Sequence, residues 1–257
     1  MVSGLVKFRE SFAGFSDNFV IIGGTACDEV LSGTEMTPRA TLDIDIVVIV
    51  ENMTQDFALA FWNFIREGGY QPGKRKNQDG SLKYVLYSFD KGRPGFPVKI
   101  ELLARHNEVF EKAAHIEPLP IYGDVSSLSL IILDENYYTL TVGNSFISGG
   151  LRYASPIALM ALKVRAFLNL LADRANGKEI NSKDISKHRN DVIKLAAITP
   201  GTERAEVGKD VFDSMNEFSS LMLSSLPNQS LQDSLRRNDA VLRTYIESIP
   251  GHYILKQ

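Results

Sequence analysis

Gly23-Gly24-Thr25 closes the apolar run Phe19-Val20-Ile21-Ile22, and the alternating run Arg39-Ala40-Thr41-Leu42-Asp43-Ile44-Asp45-Ile46-Val47-Val48 follows soon after. A glycine-rich turn that opens a helix lets backbone N–H groups approach phosphate, helped by the positive end of the helix. Strand side chains alternate between faces, so Arg39, Thr41, Asp43 and Asp45 share one face if the strand begins early, and Leu42, Ile44 and Ile46 occupy the other. Aspartate is depleted from strands, and two like charges side by side repel. A divalent cation would remove that repulsion. Magnesium suits the place, because it takes oxygen ligands from a few carboxylates and from substrate phosphates. The two runs together read as a phosphate-holding turn facing a cation site, which is the equipment for metal-assisted chemistry on a nucleotide. Each has a plainer reading: Gly-Gly as an ordinary tight turn, Asp-Ile-Asp as a solvent-facing strand. Val47, next on the carboxylate face, ends the polar pattern and favours a local site. The turn is neither a Walker A loop nor a dinucleotide fingerprint, since the residues that define those do not follow it.

The elements that must position these residues follow from periodicity. Residues 4–14 read as a short helix with Leu5, Phe8 and Phe12 on one face, 19–22 as a buried strand, Thr25–Leu31 as a short helix, and 40–50 as the clearest strand. Residues 54–67 read as a helix with Thr54 as its N-cap and Phe57, Phe61, Phe64 and Ile65 as its apolar face. Further strands are expected at 82–89, 97–104, 128–133 and 137–142. Glu101 falls in the second of these, with Lys99 on its face. If that strand lies beside 40–50, Glu101 completes a carboxylate trio with Asp43 and Asp45; the alternative is a Lys-Glu surface pair. From Ser155-Pro156 onward, a cap residue with proline at the first helical position, only helical patterns follow: 156–174, 183–198, about 203–223 and 229–248. The expected fold is α+β: a mixed sheet with flanking helices over 1–153, then an all-helical domain over 154–257.

Of the 257 residues 44% are hydrophobic and 23% charged, with a formal net charge of −3. Such a balance supports a packed core and supplies no global field toward nucleic acid or membrane. The lone cysteine, Cys27, can form neither an intramolecular disulfide nor a cysteine zinc site, in keeping with a reducing cytoplasm. The start, MVSGLVKFRESF, lacks the apolar core of a signal peptide, and no stretch approaches the ~18 apolar residues of a membrane span, so no membrane association is expected.

Gly-Gly-Thr-Ala at 23–26 followed by Arg-x-Thr-x-Asp-Ile-Asp at 39–45 resembles the nucleotidyltransferase fold shared with DNA polymerase β. Within that superfamily the chain is most similar to the AbiEii-type nucleotidyltransferases, the toxin half of type IV toxin–antitoxin pairs. The resemblance is closest over 20–50. It implies that Gly23, Gly24 and Thr25, with Arg39, hold a nucleoside triphosphate, that Asp43 and Asp45 bind Mg²⁺, and that Glu101 is the third acidic position. AbiEii-like proteins also carry a lysine in the helix after the sheet domain and an acidic residue in a later helix. Lys163, within SPIALMALKVR, and Asp191, within Lys187-His188-Arg189-Asn190-Asp191, match these, which implies that both join Asp43, Asp45 and Glu101 as catalytic residues and that Lys163 neutralises the triphosphate. His188 stands where the pattern has an acid, and reads as an interdomain hydrogen-bonding residue. Lys163 is ringed by Leu159, Met160, Ala166 and Phe167 at helical spacing, so it must find a partner or snorkel. The implied activity is Mg²⁺-dependent transfer of a nucleotidyl group from an NTP to a tRNA 3′ end or a protein hydroxyl, in a cleft between the two domains, with a cognate antitoxin as partner. Lys74-Arg75-Lys76, Lys183, Lys187, Arg189 and Lys194 are the candidate RNA contacts. An antibiotic nucleotidyltransferase, or a non-catalytic nucleotide-binding module of the same fold, remains open at this stage.

Overall fold

The structure is a computed structural model that describes residues 3–72, 84–105 and 134–256. The Lys74-Arg75-Lys76 run and the strand expected at 128–133 lie outside the described residues. The described residues of 1–29, 39–129 and 145–154 form one compact unit, and those of 30–38, 130–144 and 155–257 another. The last division falls after Ala154, next to the expected boundary, while two earlier segments group with the helical unit.

The first unit is built on a seven-stranded mixed sheet in the order β3-β4-β5-β2-β1-β7-β6. Its strands are β1 (Phe19–Ile22), β2 (Asp43–Val48), β3 (Gln71–Pro72), β4 (Tyr84–Asp90), β5 (Lys99–Arg105), β6 (Ser145–Ser148) and β7 (Leu151–Ala154). β2 runs antiparallel to β1 and parallel to β5, and β1 runs parallel to β7. The fold class is α+β with flanking helices, as the periodicity predicts. Helix α1 (Leu5–Phe12) and helix α3 (Gln55–Glu67) supply one aromatic layer. Phe12 lies 5.2 Å from Phe64 and 6.2 Å from Phe19, while Phe19 stacks on Phe57 at 5.9 Å. Phe19 pairs with Val48 and Ile21 with Ile46, so these positions define the helix-covered face of the sheet. Asp43 and Asp45 alternate with Ile44 and Ile46 and therefore lie on the opposite face.

Helix α3 begins as its sequence predicts: the Thr54 hydroxyl accepts the Phe57 N–H at 3.2 Å. Thr54→Ala removes that cap and is expected to lower unfolding free energy by about 1 kcal/mol in a urea titration. Helix α2 (Gly23–Leu31) starts at Gly23 itself, two residues before the expected start.

In the second unit, α4 (Glu135–Gly143) replaces the strand expected at 137–142. Its β-branched and aromatic residues favour a strand locally. The Asp134 side chain, however, caps the Asn136 N–H, and Tyr137, Tyr138, Leu140 and Thr141 are buried along the helix, so tertiary packing overrides propensity. Helix α5 (Pro156–Ala175) is apolar on nearly every side, as a central helix should be, and packs with α6 (Ser182–Ile198). The unit is not all helical. β8 (Ala205–Val207) pairs in parallel with β9 (Tyr253–Leu255), which shortens the helix expected from 203 to α7 (Lys209–Ser224). The helix expected over 229–248 is broken into α8 (Gln229–Leu235) and α9 (Asp239–Ser248) by Arg236 in the left-handed conformation at φ 53°. Among the described residues no helix is long and apolar enough to cross a membrane.

Candidate active site

β1 delivers Gly23 directly into the first turn of α2 with φ 71°, a left-handed value that glycine adopts without cost. Asp45 pairs with Ile22, the residue before it. The consequence is a close approach: a Cβ at Gly23 would stand 2.0 Å from Asp45 Oδ2. A Cβ at Gly24 would stand 2.7 Å from Thr41 Oγ1 and 3.0 Å from a terminal nitrogen of Arg39. The diglycine is therefore required here by crowding as well as by backbone conformation. It brings together Gly23, Gly24, Arg39, Thr41 and Asp45, with Asp43 two residues away on the same face. Asp43 and Asp45 are both partly exposed.

The Thr25 side chain has a structural task at this turn. It is buried, and its hydroxyl donates to the Asp43 carbonyl at 2.6 Å, pinning the start of β2 to α2. Thr25→Val is expected to cost about 1–3 kcal/mol, the penalty for leaving the Asp43 carbonyl unsatisfied, read as a lowered thermal midpoint.

Glu101 lies opposite Asp45 in the β2–β5 register, so the strand neighbour that would complete a trio is in place. Its carboxylate, however, is engaged: Lys99 Nζ lies 2.7 Å from Glu101 Oε1. This is the Lys-Glu pair of the alternative reading, though not a surface one, since Glu101 is 6% exposed. Among the described residues, no three His, Cys, Asp or Glu side chains are gathered so that they could hold a metal ion. Two carboxylates are nonetheless a sufficient protein complement for magnesium, which takes its remaining oxygens from water and substrate phosphates. The crowding at Gly23 supports that fit. A carboxylate held against this turn would repel a phosphate group approaching the backbone N–H groups there unless a cation stood between them. Burial by itself would lower the Lys99 pKa; the hydrogen bond to Glu101 and the charges of Glu101, Asp43 and Asp90 outweigh it and raise the pKa above 10.5. The ammonium's contribution to stability is therefore complete below about 10.5 and is lost only as pH rises through the raised value.

Lys163 and Asp191 do meet, in the helical unit. Lys163 Nζ donates to Asp191 Oδ2 at 2.7 Å across the α5–α6 contact, and the side chains are 1% and 3% exposed. Lys163 neither snorkels nor faces solvent, and Asp191 is not a solvated helix-edge carboxylate. His188, one turn before Asp191, is also buried. Of the basic residues on α6, Lys187 pairs with Asp184, Lys194 donates to the Thr37 carbonyl at 2.8 Å, and Arg189 is half-buried, its pKa lowered by desolvation.

Sequence reasoning left two residues near the carboxylates without a role. The strand expected over 40–50 begins only at Asp43, so Thr41 reaches Gly24 from the segment before it rather than from the strand face. Asp90 had no signal before the β4–β5 register placed it opposite Lys99. No protein-family model matches the chain, and no curated protein or solved structure matches it.

Proposed function

We propose that the chain is a Mg²⁺-dependent nucleotidyltransferase that moves a nucleotidyl group from an NTP to a hydroxyl of tRNA or protein, as an AbiEii-like toxin would. The observation that carries this reading is the 2.0 Å between Asp45 Oδ2 and the position of a Gly23 Cβ, with Asp43 on the same strand face. Asp43 and Asp45 would hold the cation, and the N–H groups that open α2 would receive the phosphates. Magnesium, when bound, would offset negative charge on the phosphates and on departing pyrophosphate. Arg39, beside Gly24, adds positive charge at the same turn. Lys163 is engaged by Asp191, so the reading assigns it no contact with the triphosphate. In the reaction the acceptor oxygen bonds to the α-phosphorus, the bond to pyrophosphate breaks, and the hydroxyl proton passes to solvent. A cognate antitoxin is the protein partner this reading implies.

The test is incubation with each α-labelled NTP, Mg²⁺ and total tRNA, cell lysate or aminoglycosides. Label in RNA or in a protein is expected. Label in the aminoglycoside would assign the chain to small-molecule transfer. Absence of label in every arm, with no heat of Mg-NTP binding, would leave only a non-catalytic module.

A further inference from the structure

Lys99 carries a cation into the carboxylate face. Across the parallel β2–β5 pair, Asp43 stands opposite Lys99 and Asp45 opposite Glu101. Across the antiparallel β4–β5 pair, Asp90 stands opposite Lys99 and Ser88 opposite Glu101. Directly paired positions share a face, as do positions two apart on a strand. Asp43, Asp45, Asp90 and Glu101 therefore line one face over three adjacent strands. Lys99 sits between Asp43 and Asp90, and its ammonium is bound to Glu101.

We propose that the Lys99 ammonium takes the place of a second divalent cation, holding Glu101 out of coordination, so that the site admits a single divalent ion at Asp43 and Asp45. The inference rests on the metal-dependent reading above and goes beyond it by fixing how many ions the site takes and which residue decides it. The lysine head group is a compact point charge, suited to standing in for an ion among carboxylates. Glu101 is the carboxylate whose register would otherwise let it join Asp45 around a cation, and it is the one the ammonium holds. Lys99 is thus a positioning residue acting through Glu101.

Mn²⁺ titrated into the full chain, with bound ion counted from loss of the free-ion electron paramagnetic resonance signal, tests this. The expected counts are one ion for the wild type, two for Lys99→Met, and one again for Lys99→Met combined with Glu101→Gln. Lys99→Ala, expected to bind two, serves where the methionine variant does not fold, and Lys99→Arg should keep the count at one. Two ions on the wild type, or a single ion on a folded, uncharged Lys99 variant, overturns the proposal while leaving the metal-dependent reading intact. A wild-type chain that binds no Mn²⁺ overturns that reading itself.

Discussion

Asp191→Ala is expected to destabilise the protein by about 3–5 kcal/mol, the usual cost of removing one partner of a buried ion pair. Lys163 is 1% exposed on a helix whose neighbouring positions are apolar, and Asp191 supplies the carboxylate 2.7 Å from its ammonium. Alanine removes the neutralising charge and leaves the ammonium away from water. Lys163→Met is expected to cost a comparable amount, since it strands the carboxylate instead. Combining Lys163→Met with Asp191→Leu should recover most of the loss, because an apolar pair of similar volume commonly matches a buried salt bridge. Urea titrations of Lys163→Met, Asp191→Leu and the double variant close the cycle. If Asp191→Ala unfolds like the wild type and loses only transfer activity, the pair acts in chemistry rather than in joining α5 to α6.

Under the proposed reaction, Gly23→Ala and Asp45→Asn are each expected to lower nucleotidyl transfer by about 100-fold or more, for related reasons. Asp45→Asn keeps the shape of the side chain and removes the charge that would hold the cation. Gly23→Ala keeps the charge and displaces it. The new Cβ would fall 2.0 Å from Oδ2, so the carboxylate must move by more than an ångström at a position where such a shift is catalytically costly. The left-handed φ of 71° adds about 1–2 kcal/mol of backbone strain for alanine. The two variants separate in stability: Asp45→Asn should melt near the wild type, whereas Gly23→Ala should melt lower. Loss of folding in Asp45→Asn would mean that the aspartate is structural.

The face carrying Asp43 and Asp45 was legible because a strand has a two-residue period, and an apolar run with two acids on one side leaves few alternatives. Gly23-Gly24 was legible as a turn, but the reason for two glycines was not. The reason is crowding by Asp45, Thr41 and Arg39, which are remote in sequence. Glu101 could be assigned to a strand, and its neighbourhood to Asp45 was a guess that the β2–β5 register supports. The sequence could not decide between Glu101 as a third ligand and Glu101 paired with Lys99, because both put the same residues on the same face. The misread helix α4 shows the limit of propensity: Tyr137-Tyr138-Thr139-Leu140-Thr141-Val142 is strand-like in composition, and only the cap at Asp134 and the side chains buried around it make it helical. β6, β7, β8 and β9 run three or four residues each, too short for alternation to register. Lys163 and Asp191 lie 28 positions apart, and no local pattern announces that they touch.

The parallel pairing of β1 with β7 has a kinetic consequence. Ile21 and Tyr153 are partners although about 130 residues separate them, so one side of β1 stays unsatisfied until the chain has been synthesised past Ala154. Loop closure of that length is slow relative to local structure. On the ribosome, the strand that ends at the diglycine turn would emerge well before β7 and would wait that long for its second neighbour. During that interval Phe19-Val20-Ile21-Ile22 presents an open apolar edge, the kind of segment that chaperones shield.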